Sequence, residues 1–143
     1  MKKKTFLFLL IVFVAVGLMG YFITQPVIQA QDAPAGPDVA ITGSIFYSGA
    51  DCQYREGDQV IVGKWNTNGG VDWVAWGQVQ YFGGGYFWSV SADELENQAG
   101  NYRLIPDLQN ANGVSPQVRD PVYWQPGTVT FGQHFTAVSC DHP

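Results

Sequence analysis

Beyond residue 40 the chain alternates between apolar and polar positions. Tyr86, Trp88 and Val90 oppose Phe87, Ser89 and Ser91, a period of two that predicts a strand. Gly83, Gly84 and Gly85 place a tight turn before it. Ser91 and Glu94 have the spacing of a capping box, and Gly100 reads as a helix-ending glycine. A short helix is therefore expected over Ala92–Gln98. Tyr102 and Leu104 resume the alternation, and Pro106 is expected to end it.

The same period recurs along the rest of the domain. Ile41–Tyr47 is a first strand, with Ile41, Ile45 and Tyr47 on one face and Gly43 between them. Ser48–Asp58 is rich in turn residues. Gln59–Trp65 is a second strand, with Val60 and Val62 opposing Ile61 and Trp65. Asn66–Gly70 is a hairpin signal. Asp72–Phe82 reads as a third strand bent at Gly77, Leu108–Ser115 as a polar loop, and Val118–Trp124 as an edge strand restricted by Pro121 and Pro126. Thr128–Cys140 closes the domain, with Gly132 as a bulge. About seven strands with turns every ~8–12 residues predict an all-β fold, a two-sheet Greek-key sandwich carrying one short helix.

The first thirty residues follow a different rule. Lys2, Lys3 and Lys4 precede an uncharged run, Thr5–Thr24, that predicts an N-terminal hydrophobic helix. The lysines hold the amino end in the cytoplasm, so the domain is placed extracellularly or on the outer face of the cytoplasmic membrane. Ile28-Gln29-Ala30 resembles a signal cleavage site, whereas the run is long enough for a bilayer anchor. Residues 1–30 are thus a signal peptide or a membrane anchor, residues 31–40 a Pro-rich linker, and residues 41–143 the sandwich domain. If uncleaved, the segment makes the membrane a partner.

Charge narrows the partners further. The 143-residue chain carries a net charge of −5, and removing Lys2–Lys4 leaves four basic residues against twelve acidic ones, or −8. No basic patch remains to neutralise phosphates, so no nucleic-acid partner is expected. Cys52 and Cys140 are the only cysteines. In an oxidising compartment an even count points to a disulfide, and two distant cysteines without clustered histidine make a poor metal site.

Catalytic signatures are missing: no nucleophile elbow, phosphate loop or HExxH occurs. His134 and His142 stand apart from acids at ligand spacing. Asp93, Glu94 and Glu96 suit a helix N-terminus, and Asn66, Asn68 and Asp72 suit turn chemistry. No catalytic residue, metal or cofactor is expected. The aromatic set carries the functional content. Trp73 and Trp76 have opposite parity, so without a bulge one of them points away from the core. Trp65 opposes the Val60 and Val62 face. Outward tryptophans on a sheet suit sugar faces, and Trp65, Trp76 and Trp124 are the candidate ligand-binding residues.

The order of motifs resembles a known family. Ile41–Ile45 reads I-x-G-x-I, Val60–Val62 reads V-x-V, Gly85–Val90 reads G-Y-F-W-S-V, Ala99–Leu104 reads A-G-N-Y-R-L and Thr128–Gln133 reads T-V-T-F-G-Q. This resembles the carboxypeptidase regulatory-like domains and the B-type repeats of collagen adhesins, which implies a transthyretin-like, or prealbumin-like, sandwich used as an accessory module. The lysine–asparagine crosslink of adhesin repeats is not expected, because Lys64 follows the second-strand motif and the last strand holds no asparagine. The expected function is an exported, non-enzymatic module with a structural or adhesion role at the cell envelope. The alternative is a carbohydrate-binding module. The expected partner is a glycan or another envelope protein.

Overall fold

The structure, a computed structural model, describes residues 38–141. The targeting segment 1–30, linker residues 31–37 and His142 lie outside the described residues. The first strand begins earlier than Ile41, because Val39 and Ala40 are already strand.

The described residues form two packed sheets and no helix. In chain order the strands are β1 (Val39–Tyr47), β2 (Gln59–Trp65), β3 (Val71–Gln78), β4 (Gln80–Phe82), β5 (Gly85–Ser91), β6 (Gly100–Asp107), β7 (Ala111–Ser115), β8 (Arg119–Trp124) and β9 (Phe135–Cys140). One sheet has the order β4-β5-β1-β9-β7, the other β3-β2-β6-β8. The chain changes sheet after β1, β3, β5, β6, β7 and β8. Pairing is antiparallel except between β1 and β9. Val60, Val62, Leu104, Tyr102 and Trp124 from the four-stranded sheet meet Ile41, Ile45, Trp88, Val90 and Phe135 from the other in one buried core.

Several expectations are corrected. The third strand is two strands, because Val79 turns inward, its N–H bonding the Asp58 carbonyl at 2.9 Å, and β4 continues in the opposite sheet. Residues 111–115 are not a loop: β7 pairs with β9. The closing segment is strand only from Phe135 onward. Before that it forms one parallel bridge with β1, Ile41 to Thr130, turns at Gly132, whose φ is +75°, and bonds the Thr42 carbonyl through Gln133 N–H. Pro106 does not end β6, since it pairs with Val60 and the strand runs to Asp107. Val118–Trp124 is an edge strand as expected, starting at Arg119.

The expected helix is a chain of turns. The capping box forms: Glu94 N–H donates to Ser91 Oγ at 3.2 Å, and Ser91 N–H donates to Glu94 Oε2 at 2.7 Å. The stop signal follows at once. Glu96 enters the left-handed region at φ 53°, Asn97 N–H bonds the Ala92 carbonyl, and Glu96 N–H bonds that of Asp93. Start and stop close on each other and leave no helical interior. Gly100 instead opens β6. Leu95, buried, pins the turns to the core.

Trp88 explains the glycines of the core. It pairs across from Gly43, and its indole N–H donates to the Gln133 carbonyl at 3.1 Å. A Cβ at Gly43 would lie 1.7 Å from that carbonyl oxygen, and a Cβ at Gly77 would lie 2.8 Å from the Trp88 ring. At one end of the sandwich the Asp58 carboxylate ties three segments together. It accepts from Tyr47 Oη (2.6 Å), Arg55 N–H (3.0 Å) and Gln109 N–H (2.7 Å). Near that end Cys52, in the β1–β2 loop, is disulfide-bonded to Cys140 of β9, with Cα atoms 5.1 Å apart.

Two outcomes follow from this core. Gly43→Ala should cost at least about 3 kcal/mol or prevent folding, because backbone must move to admit the methyl; chemical denaturation measures it. Burial, then the hydrogen bond to Asp58 and its negative charge, push the Tyr47 phenol well above the ordinary tyrosine value. A raised pKa contributes stability that is whole below the unfolded value near ~10 and declines above it. Urea unfolding should therefore show stability falling progressively above about pH 10, and Tyr47→Phe should reduce that loss, leaving the smaller part due to Tyr102, whose phenol burial also raises. At neutral pH that variant should cost about 1–2 kcal/mol, since Asp58 loses a donor.

Candidate functional site

The outer face of the four-stranded sheet gathers the exposed indoles. The device is a one-residue bulge. Val62 pairs with Ala75, but the next residue, Gly63, pairs with Trp73, so Val74 is the extra residue on β3. Ala75 stays in the core, while the skipped position resets the alternation. Trp73 and Trp76 therefore both point outward, each 48% exposed. Without the bulge one of the two would have been driven into the core.

The face can be read in rows across the strands. At one margin Gln78 Nε2 donates to Gln59 Oε1 (2.8 Å), and Gln59 Nε2 donates to Asp107 Oδ2 (2.9 Å). The next row is apolar: Ile61 lies between Trp76 and Ile105. Then Gly63 lies between Trp73 and Arg103. A Cβ on Gly63 would come within 2.8 Å of the Trp73 ring, so the indole lies across the bare backbone. Last come Trp65 beside Val71, and Asn101 beside Tyr123, the latter 58% exposed.

Trp65 is held rigidly. Its Nε1–H donates to Asp120 Oδ1 at 2.7 Å, and the Arg103 guanidinium sits 4.6 Å above its ring. Arg103 also donates to Asp120 Oδ2 through Nε (2.9 Å) and Nη2 (2.6 Å). Residual burial opposes the Asp120 charge, but the hydrogen bonds from Arg103 and Trp65, with the guanidinium's charge, outweigh it and hold the carboxyl below its ordinary value. Trp65, Asn101, Asp120 and Pro121 line a shallow concavity of about 310 Å³. A second, of about 500 Å³, runs along the β8 edge past Asp120, Pro121, Tyr123 and Thr130. The two meet at Asp120 and Pro121.

The structure brings Trp65 and Trp76 to this face, but not Trp124. Trp124 is buried, 1% exposed, with its N–H on the Thr128 carbonyl at 2.9 Å and its ring on Tyr102. Alternation along β8 sends Val122 and Trp124 inward and Tyr123 outward. Trp73 and Tyr123 take its place on the outer face. Sequence parity had shown the conflict between Trp73 and Trp76, and the bulge is how the chain resolves it.

The other polar candidates are engaged locally. Asn66 Oδ1 accepts from Asn68 and Gly70 N–H, and its amide reaches Asp72 at 3.3 Å, which is turn chemistry. Glu96 Oε2 accepts from Gln98, and Asp93 Oδ1 from Asn97. Lys64 Nζ donates to Gln98 Oε1. His134 Nδ1 lies 2.7 Å from Ser44 Oγ. Among the described residues no three of His, Cys, Asp and Glu gather as a metal site. Comparison of the chain with family models, curated proteins and solved structures finds no match, so the functional reading rests on this geometry.

The Asp120 clamp gives a testable pH dependence. A depressed carboxyl pKa contributes stability present above the unfolded value near ~3.9 and lost as pH falls through the folded one. Indole fluorescence should hold steady down to about pH 4 and change below it as Trp65 is released, and Asp120→Asn should remove that step.

Proposed function

We propose that this chain is an exported, non-enzymatic binding module of the cell envelope that adheres to glycans through the outer face of its four-stranded sheet. The observation that carries the reading is the Val74 bulge, which sets Trp73 and Trp76 on one face beside the clamped Trp65. A soluble domain seldom leaves large aromatic rings in water on one surface unless something covers them. Flat rings backed by a rigid sheet suit the apolar faces of sugars, and the flanking amides and carboxylates suit their hydroxyls.

Export is supported by the basic-then-apolar leader and by the Cys52–Cys140 bond, which belongs to an oxidising compartment. The two-sheet architecture supports the resemblance to carboxypeptidase regulatory-like and collagen-adhesin modules, and we keep that family as part of the proposal. A purely structural role at the envelope would leave the aromatic face without an explanation.

Co-sedimentation with cellulose, xylan and chitin tests the reading. At least one should retain the protein. Trp73→Ala and Trp76→Ala should each weaken retention about tenfold, the equivalent of ~1.4 kcal/mol, with the circular dichroism spectrum unchanged. Tyr81→Ala, an exposed ring on the opposite sheet (66%), should leave retention intact. Failure of all three matrices, or retention unaffected by both tryptophan variants, overturns the proposal.

A further inference from the structure

Building on that glycan-binding reading, we infer that the face selects uncharged polysaccharide chains and rejects acidic ones. The selectivity comes from how its charges are spent. Arg103 is the only cation on the rows described above, and it is committed on two sides: Nε and Nη2 are bonded to Asp120, and the guanidinium plane covers Trp65. Asp120 in turn holds both partners, with Oδ1 on the indole and Oδ2 on the guanidinium. An acidic sugar lying on these rows would have to break this three-residue clamp to gain a cation, and Arg119, at the β8 edge, has its guanidinium on the His134 carbonyl and over the ring of the buried Phe135.

The remaining polar groups point the same way. The margin beyond Trp76 is an amide ladder ending in the Asp107 carboxylate. Lys64, the nearest other cation on β2, pairs across from the buried Tyr102 and donates to Gln98, which places it on the opposite parity from Trp65. Between the margins the band of Trp76, Ile61, Ile105 and Trp73 carries no charge. A carboxylated chain laid along it would set negative groups against Asp107 and Asp120 on a domain, residues 41–143, that already carries ten acidic residues against four basic ones, or −6. Like-charge contact of this kind is how interfaces exclude the wrong partner.

Geometry adds a direction. Trp76, Trp73 and Trp65 occupy successive outward rows, opposite or at positions 61, 63 and 65 of β2. Outward rows two residues apart are separated by ~7 Å along a strand. The three indoles thus step along the sheet toward the Trp65–Asn101–Pro121 concavity, a track for one extended chain more than a pocket for a chain end.

The test uses the full chain in a detergent without sugar groups, titrated calorimetrically with cellohexaose, xylohexaose and a hexamer of galacturonic acid. Cellohexaose or xylohexaose should bind, with affinity changing less than about twofold between about 0.02 and about 0.5 M salt, because no ion pair forms. The uronic hexamer should bind at least about tenfold more weakly at low salt, and added salt should narrow the gap. Equal or tighter binding of the uronic hexamer overturns the selectivity while leaving glycan adhesion standing. Binding of none of the three overturns the selectivity, and if cellulose, xylan and chitin also fail, adhesion to glycans falls with it and a protein partner becomes the occupant to seek.

Discussion

The sandwich depends on one indole being accommodated between two sheets. Trp88 is too large to face another side chain at that level, so both sheets meet it with glycine. Gly43 lies across from it on β1, and Gly77 stands opposite it on β3. The indole is polar at one atom, and burying that atom unpaired would cost roughly 1–3 kcal/mol. The Gln133 carbonyl satisfies it, which forces the last segment inward at Gly43. That inward path accompanies the irregular pairing with β1, one parallel bridge at Thr130 and a bond from Gln133 N–H to the Thr42 carbonyl, before the segment resumes as β9. One side chain thus sets the spacing of the sheets and the irregular approach of the final strand.

The same pairing of glycine and indole appears on the outside. Trp73 lies across Gly63 as Trp88 lies against Gly43 and Gly77. Inside, the pairing achieves close packing; outside, it lays a ring flat on the sheet and leaves its other side open. The Val74 bulge makes this possible by spending one residue to reset parity while Ala75 remains in the core. The platform is therefore built into the sheet's hydrogen bonding and does not hang from a loop. A site on strands is held more rigidly than one on loops, and that rigidity lowers the entropy lost when a ligand docks.

Much of this was legible in the residues, and the gaps have physical causes. Period-two alternation located β1, β2, β5, β6 and β8 within a few residues, and two cysteines in a chain expected to be exported pointed to the bridge that the structure holds. The helix expected at Ala92–Gln98 illustrates the limit of local signals. Its capping box is real, yet the reversal at Glu96 comes before a second turn can form, because the segment must carry the chain across the edge of the sandwich with Leu95 buried. β7 was hidden because Ala111-Asn112-Gly113 has little strand propensity; its pairing with β9 is a tertiary gain that composition does not record. Trp124 was misplaced for a simpler reason. Choosing an outward ring on β8 required knowing the strand's parity, and Val122 alone marks it.

The polar end of the domain and the aromatic face answer different needs with the same economy of charge. Asp58 is a buried carboxylate bound by three donors from three segments, so its cost of desolvation is offset only while β1, the following loop and the β6–β7 turn stay together. Asp120 is a partly exposed carboxylate bound by Trp65 and Arg103 from neighbouring strands, and it fixes a half-buried ring at the outer face. In the first case the ion secures the fold against opening at its end; in the second it removes the rotational freedom of Trp65 and neutralises Arg103, the cation on the outer face. On the proposed reading, the commitment of Arg103 to Asp120 and Trp65 is what would keep anions off the face where a ligand lies.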